Sequence, residues 1–230
     1  MEPQEKSQGR RRCSSRYERE ARKLGWTRIA GLDEAGRGSL FGPVFAAAVI
    51  LNPERRINGL DDSKKLAPAR RDELAALIRE RALAWAVAAV DASRIDAWNI
   101  LQASKQAMMA ALAELRVAPD YLLLDAVTLD LPLEQKSLIH GDARSVSIAA
   151  ASILAKVERD RAMEDFDLQF PQYGLAHNKG YGTPDHLEAL RRHGPSPLHR
   201  YSFAPVREAN CWAAGATQTS LLPVSLEVPS

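Results

Sequence analysis

Apolar and polar positions fall into blocks that alternate between two periods along the chain. Arg28–Leu32 (RIAGL) and Val44–Leu51 (VFAAAVIL) are short apolar runs around a glycine-rich stretch, which predicts two strands joined as a hairpin. Pro68 opens a helix with Leu74, Leu77, Ile78 and Arg81 at helical spacing. Ala67 stands where a capping side chain would be expected. Trp85–Val90 (WAVAAV) reads as a third strand. Asp96 is the expected cap of a helix whose stripe is Ile100, Ala103, Ala107, Ala111 and Leu115, ended by Pro119. Tyr121–Leu124 (YLLL) is a continuous apolar run, as in a strand buried on both faces. From Ser145 a long helix rich in small residues runs to Pro171, and His186–Arg192 forms a shorter one. Strands followed by helices, with one hairpin, predict an α/β fold on a mixed sheet.

The two ends lack such patterning. Residues 1–16 are polar and basic and read as a disordered arm, residues 17–212 as one domain, and residues 213–230 as a C-terminal tail. With 31 Lys plus Arg against 29 Asp plus Glu, the net charge is only +2, so any polyanion site must be local. Cys13 and Cys211 form neither a metal motif nor a disulfide framework. The longest apolar run falls far short of the roughly 20 residues a membrane helix needs. A signal peptide is not expected, since Ser14, Ser15 and Arg16 follow the N-terminal arginines. The expectation is a soluble, cytoplasmic protein without a membrane partner.

Three apolar runs lead into acids: Ile29–Leu32 into Asp33 and Glu34, Tyr121–Leu124 into Asp125, and Leu138–Ile139 through His140 and Gly141 into Asp142. A buried strand ending in a carboxylate must place that charge in a cleft or pair it. Four carboxylates in one cleft would call for divalent cations such as Mg²⁺ or Mn²⁺, suited to displacement at phosphorus. By position alone Asp142 could equally cap the helix that follows. Adjacent strand residues face opposite ways, so Asp33 and Glu34 share a site only where the strand ends or bulges. Gly36-Arg37-Gly38 can cradle an anion or simply form a turn. Asp62-Ser63-Lys64-Lys65 offers charge near a helix start, and Tyr181, between glycines, offers a ring for stacking or for packing. The histidines lack zinc spacing and read as core or surface residues, with His199 and Arg200 as candidates to approach phosphate.

The segments LDEAGRGSLFGPV, LDDSKKL, NILQASKQAM, YLLLDAV, GDARSVSIAAASILAKVERDR, FPQYGLAHNKGYGT and HRYSFAPV occur in this order. Together, over roughly residues 26–207, they resemble bacterial ribonuclease HII. The resemblance implies a ribonuclease H-like fold: a mixed five-stranded sheet flanked by helices, with a helical C-terminal part. It implies an endoribonuclease that cleaves the RNA strand of RNA–DNA hybrids and incises 5′ of a ribonucleotide embedded in duplex DNA, leaving a 3′-hydroxyl and a 5′-phosphate. It places the metal-binding acids on Asp33, Glu34, Asp125 and Asp142, holding two Mg²⁺ or Mn²⁺ ions. It places the reading of the ribose 2′-hydroxyl on Gly36, Arg37 and Gly38, a substrate-contacting tyrosine on Tyr181, and a lysine near the phosphate backbone on Lys64. The family pattern is departed from at Ala35 and around Tyr181, at Asn178 and Gly182. A monomer is expected. Gln218 and Leu221 in the tail resemble part of a sliding-clamp-binding peptide without its aromatic residues. The alternative, a non-catalytic hybrid-binding protein of the same fold, would need one acid to be missing, and all four are present.

Overall fold

A computed structural model describes residues 13–210. Its centre is a five-stranded sheet in the order β3-β2-β1-β4-β5: β1 is Ile29–Ala35, β2 Val44–Ile50, β3 Ala84–Val90, β4 Tyr121–Asp125 and β5 Glu134–Leu138. β1 pairs antiparallel with β2, and β2 with β3. β4 lies parallel to both β1 and β5. The sheet is mixed, as the block pattern predicts. β5 is a polar edge strand (EQKSL), which hydrophobic patterning does not reveal.

The seven helices that follow complete the layers: α1 Arg16–Lys23, α2 Pro68–Arg81, α3 Ala92–Trp98, α4 Ile100–Ala113, α5 Val146–Gln169, α6 Leu175–Asn178 and α7 Pro184–His193. Residues 204–210 are also helical. Strand alternation sorts the core. Leu32, Leu122 and Leu124 face α4 together with Ala46, Ala48 and Ile50. Ala47 and Val49 face α5 and α2, among Leu74, Ile78, Ile153 and Leu154. Each fully buried leucine or isoleucine contributes roughly 1.5–3 kcal/mol through removal from water. A third cluster, with Leu40, Phe41, Met163, Tyr173, Leu175, Leu190 and Val206, joins the C-terminal helices to the β1–β2 connection.

The alanine- and serine-rich start of α5 lets it approach β1 closely. A Cβ added at Gly31 would lie 2.1 Å from the carbonyl carbon of Ser147, so only glycine permits this contact. Ser145 caps α5 by accepting from the Ile148 N–H. α2 lacks a side-chain cap at Ala67, as expected.

Some expectations are corrected. Asp96 is not a cap: Asp91 caps α3, and Asn99, at φ +74°, caps α4 by accepting from the N–H groups of Leu101 and Gln102. The Asp96 carboxylate instead accepts from the backbone of Tyr201 and Ser202, tying α3 to the C-terminal part. The arm assigned to residues 1–16 is ordered at its end, because Ser14 bridges Ser145 and α1 starts at Arg16. Residues 1–12, and the tail with Gln218 and Leu221, lie outside the described residues. No helix among those described is long and apolar enough to cross a membrane.

Candidate active site

The parallel pairing of β1 with β4 builds the site. Leu32 is level with Leu124, so the next residue on each strand is an acid, Asp33 beside Asp125. Strand alternation turns both toward α5, on the face of Gly31 and Leu123. Asp142 arrives from a 3₁₀ turn, Gly141–Ala143, that leads into α5. The Asp125 carboxylate fixes that turn by accepting from the Gly141 N–H at 2.7 Å. Among the described residues, Asp33, Asp125 and Asp142 each offer one oxygen within 4.8 Å of the others. Ser145, rather than Asp142, caps the helix, so the capping reading of Asp142 falls away.

Glu34 is placed differently. β1 runs unbulged through Ala35, so Glu34 points to the opposite face from Asp33. Its Oε1 accepts from Arg37 Nη1 at 3.1 Å, and its Oε2 is buried without a partner among the described residues. It stands outside the three-carboxylate cluster yet within its field.

The electrostatics show the cost of this crowding. Burial first, then the charges of Glu34 and Asp125, push the Asp33 carboxyl well above the usual carboxylate range. Burial raises Glu34 against the pull of Arg37. Burial, with Asp62 and Asp125, raises Asp142. The Lys64 ammonium lies 3.9 Å from Asp142 Oδ2, on a largely exposed side chain. Burial works against that ammonium, but Asp142, Asp62, Asp33 and Asp125 together raise its pKa. One lysine does not offset three clustered carboxylates. Hard oxygen donors, converging and short of positive charge, fit divalent cations.

Next to this cluster lies the β1–β2 connection. Gly36 has φ +93°, and a Cβ there would sit 2.0 Å from Arg159 Nε. An added Cβ at Gly38 meets nothing within 4 Å, so the turn presents open backbone. The connection pairs with the Tyr181 loop: Leu40 N–H donates to the Gly180 carbonyl at 2.8 Å, and Ser39 bridges Tyr181. Asn178 shapes that loop, accepting from Gly180 N–H and donating to the Tyr173 carbonyl. Tyr181 is 37% exposed, with the Arg159 guanidinium 5.2 Å from its ring centroid. All nine residues singled out for the site thus lie around one end of the sheet, with only Glu34 turned aside.

His199 and Arg200, candidates to approach phosphate, are instead fully buried. His186 Nδ1 donates to the Tyr181 carbonyl at 2.9 Å, so its Nε2 must accept from His199 Nε2, 3.1 Å away. His199 Nδ1 then accepts from the Ser196 N–H. This relay requires both rings to be neutral. Burial lowers both pKa values, and burial with the neighbouring His186 takes His199 down to about 3. The unfolded chain takes up these protons near pH 6.5. The stability the pair contributes is therefore complete above that pH and is lost as pH falls toward 3. Melting temperature is expected to drop over this window, less steeply in His199→Asn. Parallel profiles for the two proteins would contradict the relay.

Comparison with known proteins identifies the family. The sequence profile described as Ribonuclease HII matches residues 30–206. The chain is 58% identical over 199 residues to the ribonuclease HII of Solibacter usitatus, covering 86% of this chain and 87% of that one. The ribonuclease H2 of Pyrococcus horikoshii OT3 superposes with a TM-score of 0.69 at 25% identity, covering 80% of this chain and 97% of that one. Ribonuclease HII of Archaeoglobus fulgidus, solved in complex with PCNA, gives a TM-score of 0.66 at 28% identity, covering 79% and 96%. With its acids at the ends of adjacent parallel strands of the same fold, the chain belongs to the ribonuclease HII family, endonucleases that hydrolyse the RNA strand of RNA–DNA hybrids.

Proposed function

We propose that this protein also incises duplex DNA on the 5′ side of a single embedded ribonucleotide, leaving a 3′-hydroxyl and a 5′-phosphate. The reaction runs on two divalent cations, Mg²⁺ or Mn²⁺, held by Asp33, Glu34, Asp125 and Asp142. The observation that carries this reading is the convergence of three carboxylates within 4.8 Å at the strand ends. Glu34 leaves β1 on the other side from Asp33, but the charges of Asp125 and Lys64 act on its carboxyl and its Oε2 has no partner among the described residues, which supports it as a fourth ligand reaching round the strand end. The cations would supply a water of lowered pKa and offset charge on the leaving 3′ oxygen.

The chain's own residues position the substrate. Lys64, exposed beside Asp142, draws a backbone phosphate toward the carboxylates. The Gly36-Arg37-Gly38 turn brings backbone N–H and C=O groups against the sugar, and the open space over Gly38 admits it. A 2′-hydroxyl satisfies those groups, whereas deoxyribose leaves them unpaired, which is a strong basis for discrimination. Tyr181, partly exposed beside that turn, packs on the neighbouring sugar. The catalytic unit takes in Ser14 and α1 at its N-terminal end and acts as a monomer in the cytoplasm, on ribonucleotides misincorporated into DNA and on RNA primers. The PCNA complex of the Archaeoglobus relative supports a sliding-clamp contact, and the segment with Gln218 and Leu221 is the candidate for it from the sequence.

The test uses an end-labelled DNA duplex bearing one ribonucleotide, incubated with Mg²⁺, Mn²⁺ or a chelator. The expected product is a single metal-dependent cut 5′ of the ribonucleotide. Cutting in chelator, or equal cutting of an all-DNA duplex, would refute the assignment.

A further inference from the structure

Two arginines, Arg159 and Arg200, are completely buried beneath the β1–β2 connection, and neither forms an ion pair among the described residues. Arg200 Nε donates to the Gly42 carbonyl and its Nη1 to the Arg37 carbonyl, each at 2.9 Å. Arg159, from the middle of α5, donates through Nη2 to Ser39 Oγ at 2.8 Å and to the Lys179 carbonyl at 2.9 Å. Its Nε and Nη1 have no partner among the described residues. Ser39 Oγ in turn lies 2.9 Å from the carbonyls of Phe41 and Gly180 and donates its single proton between them. The guanidinium carbon of Arg159 is 5.2 Å from the centroid of the Tyr181 ring. Gly36 lies directly against its Nε.

An uncompensated guanidinium in a dry interior is expensive, and stability alone would be better served by an apolar side chain there. What an arginine adds is a planar fork of donors in fixed directions. Here the Nη2 end of the fork joins two segments distant in sequence, at Ser39 and at Lys179, and Ser39 Oγ extends the link to the Gly180 carbonyl. Those are the segments carrying the glycine turn and the tyrosine.

The geometry points to Arg159 as a positioning residue that locks the Gly36–Gly38 turn and the Tyr181 loop into one rigid unit, and so sets the preference for a ribose at the scissile position. Arg159 does not itself reach the substrate, since its free N–H groups are sealed from solvent. This inference rests on the assignment of ribose reading to that turn and tyrosine.

The test is steady-state kinetics on the one-ribonucleotide duplex, with an all-DNA duplex as competitive inhibitor. The ratio of the inhibitor's Ki to the substrate's KM measures ribose preference. Arg159→Met and Arg159→Lys are both expected to lower that ratio about tenfold, mainly through KM, because lysine keeps the charge but not the fork. Ser39→Ala should shift it in the same direction by less. A wild-type ratio in Arg159→Lys overturns the role of the fork, and thermal melts establish that the variants are folded. Should Arg159→Met fail to fold, Arg159→Lys and Ser39→Ala decide the matter. A parent protein with no preference would sink the ribose-reading assignment itself, whereas a preferring parent with unaltered variants removes Arg159 alone.

Discussion

Asp33→Asn is expected to produce a protein that is inactive and, without divalent cations, more heat-stable than the parent. Asp33 lies 5% exposed between Glu34 and Asp125, and its charged form is opposed by burial and by both neighbours. Asparagine keeps the shape and removes one of the repelling charges. Each kcal/mol of relief raises the melting temperature of a chain this size by about 2–4 °C. Because the folded-state pKa of Asp33 lies above its unfolded value, the penalty grows as pH rises past the ordinary carboxylate range. The stability gap between variant and parent should widen in the same direction. Adding Mg²⁺ or Mn²⁺ should raise the parent's melting temperature more than the variant's. Cleavage should fall by on the order of a thousandfold or more, as for loss of a group that organises transition-state charge. A variant that keeps its activity, or one that melts below the cation-free parent, would contradict the arrangement.

Gly31→Ala is the second large effect, and it concerns the frame rather than the chemistry. The new methyl would sit 2.1 Å from the Ser147 carbonyl carbon and 2.5 Å from the Ile148 nitrogen, both backbone atoms that no rotamer change can move. Overpacking at side chains typically costs 1–3 kcal/mol, so a backbone clash here should cost at least about 3 kcal/mol. β1 and α5 would have to separate at the place where one carries Asp33 and the other follows Asp142. Activity should therefore fall with stability, and saturating cation should recover little of it. Circular dichroism melts together with hybrid cleavage at low temperature provide the check. A fully stable Gly31→Ala protein would mean that the strand–helix contact is looser than described.

The sequence reveals the elements more readily than their capping and facing. Continuous apolar runs mark β1, β2 and β4, because a strand covered on both sides has no polar alternation to show. β5 escapes the same reasoning: as an edge strand its residues are mostly solvated, and Glu134–Leu138 carries no apolar block. α1 is short and strongly polar, and only Tyr17, Glu18 and Ala21 are buried. Asp96 is the cap expected from the sequence, whereas Asn99 takes that place because the chain turns there through positive φ, which asparagine tolerates. The convergence of Asp33, Asp125 and Asp142 follows from strand ends and was visible as three runs closing on acids. Where Glu34 points depends on whether β1 bulges, which sequence alone leaves open. Arg159 was invisible: within the charged stretch VERDRAMED nothing distinguishes the one arginine that turns inward.

The parallel register of β1 and β4 carries a further consequence. Asp33 and Asp125 stand side by side only because Leu32 is level with Leu124. A slip of one residue would send Asp125 to the far side of the sheet, and with it the turn that delivers Asp142. A misassembled chain therefore does not become a sloppier nuclease; it becomes no nuclease at all. Hydrolytic power is thus wired to correct strand pairing: the register that completes the sheet is the same one that assembles the carboxylates.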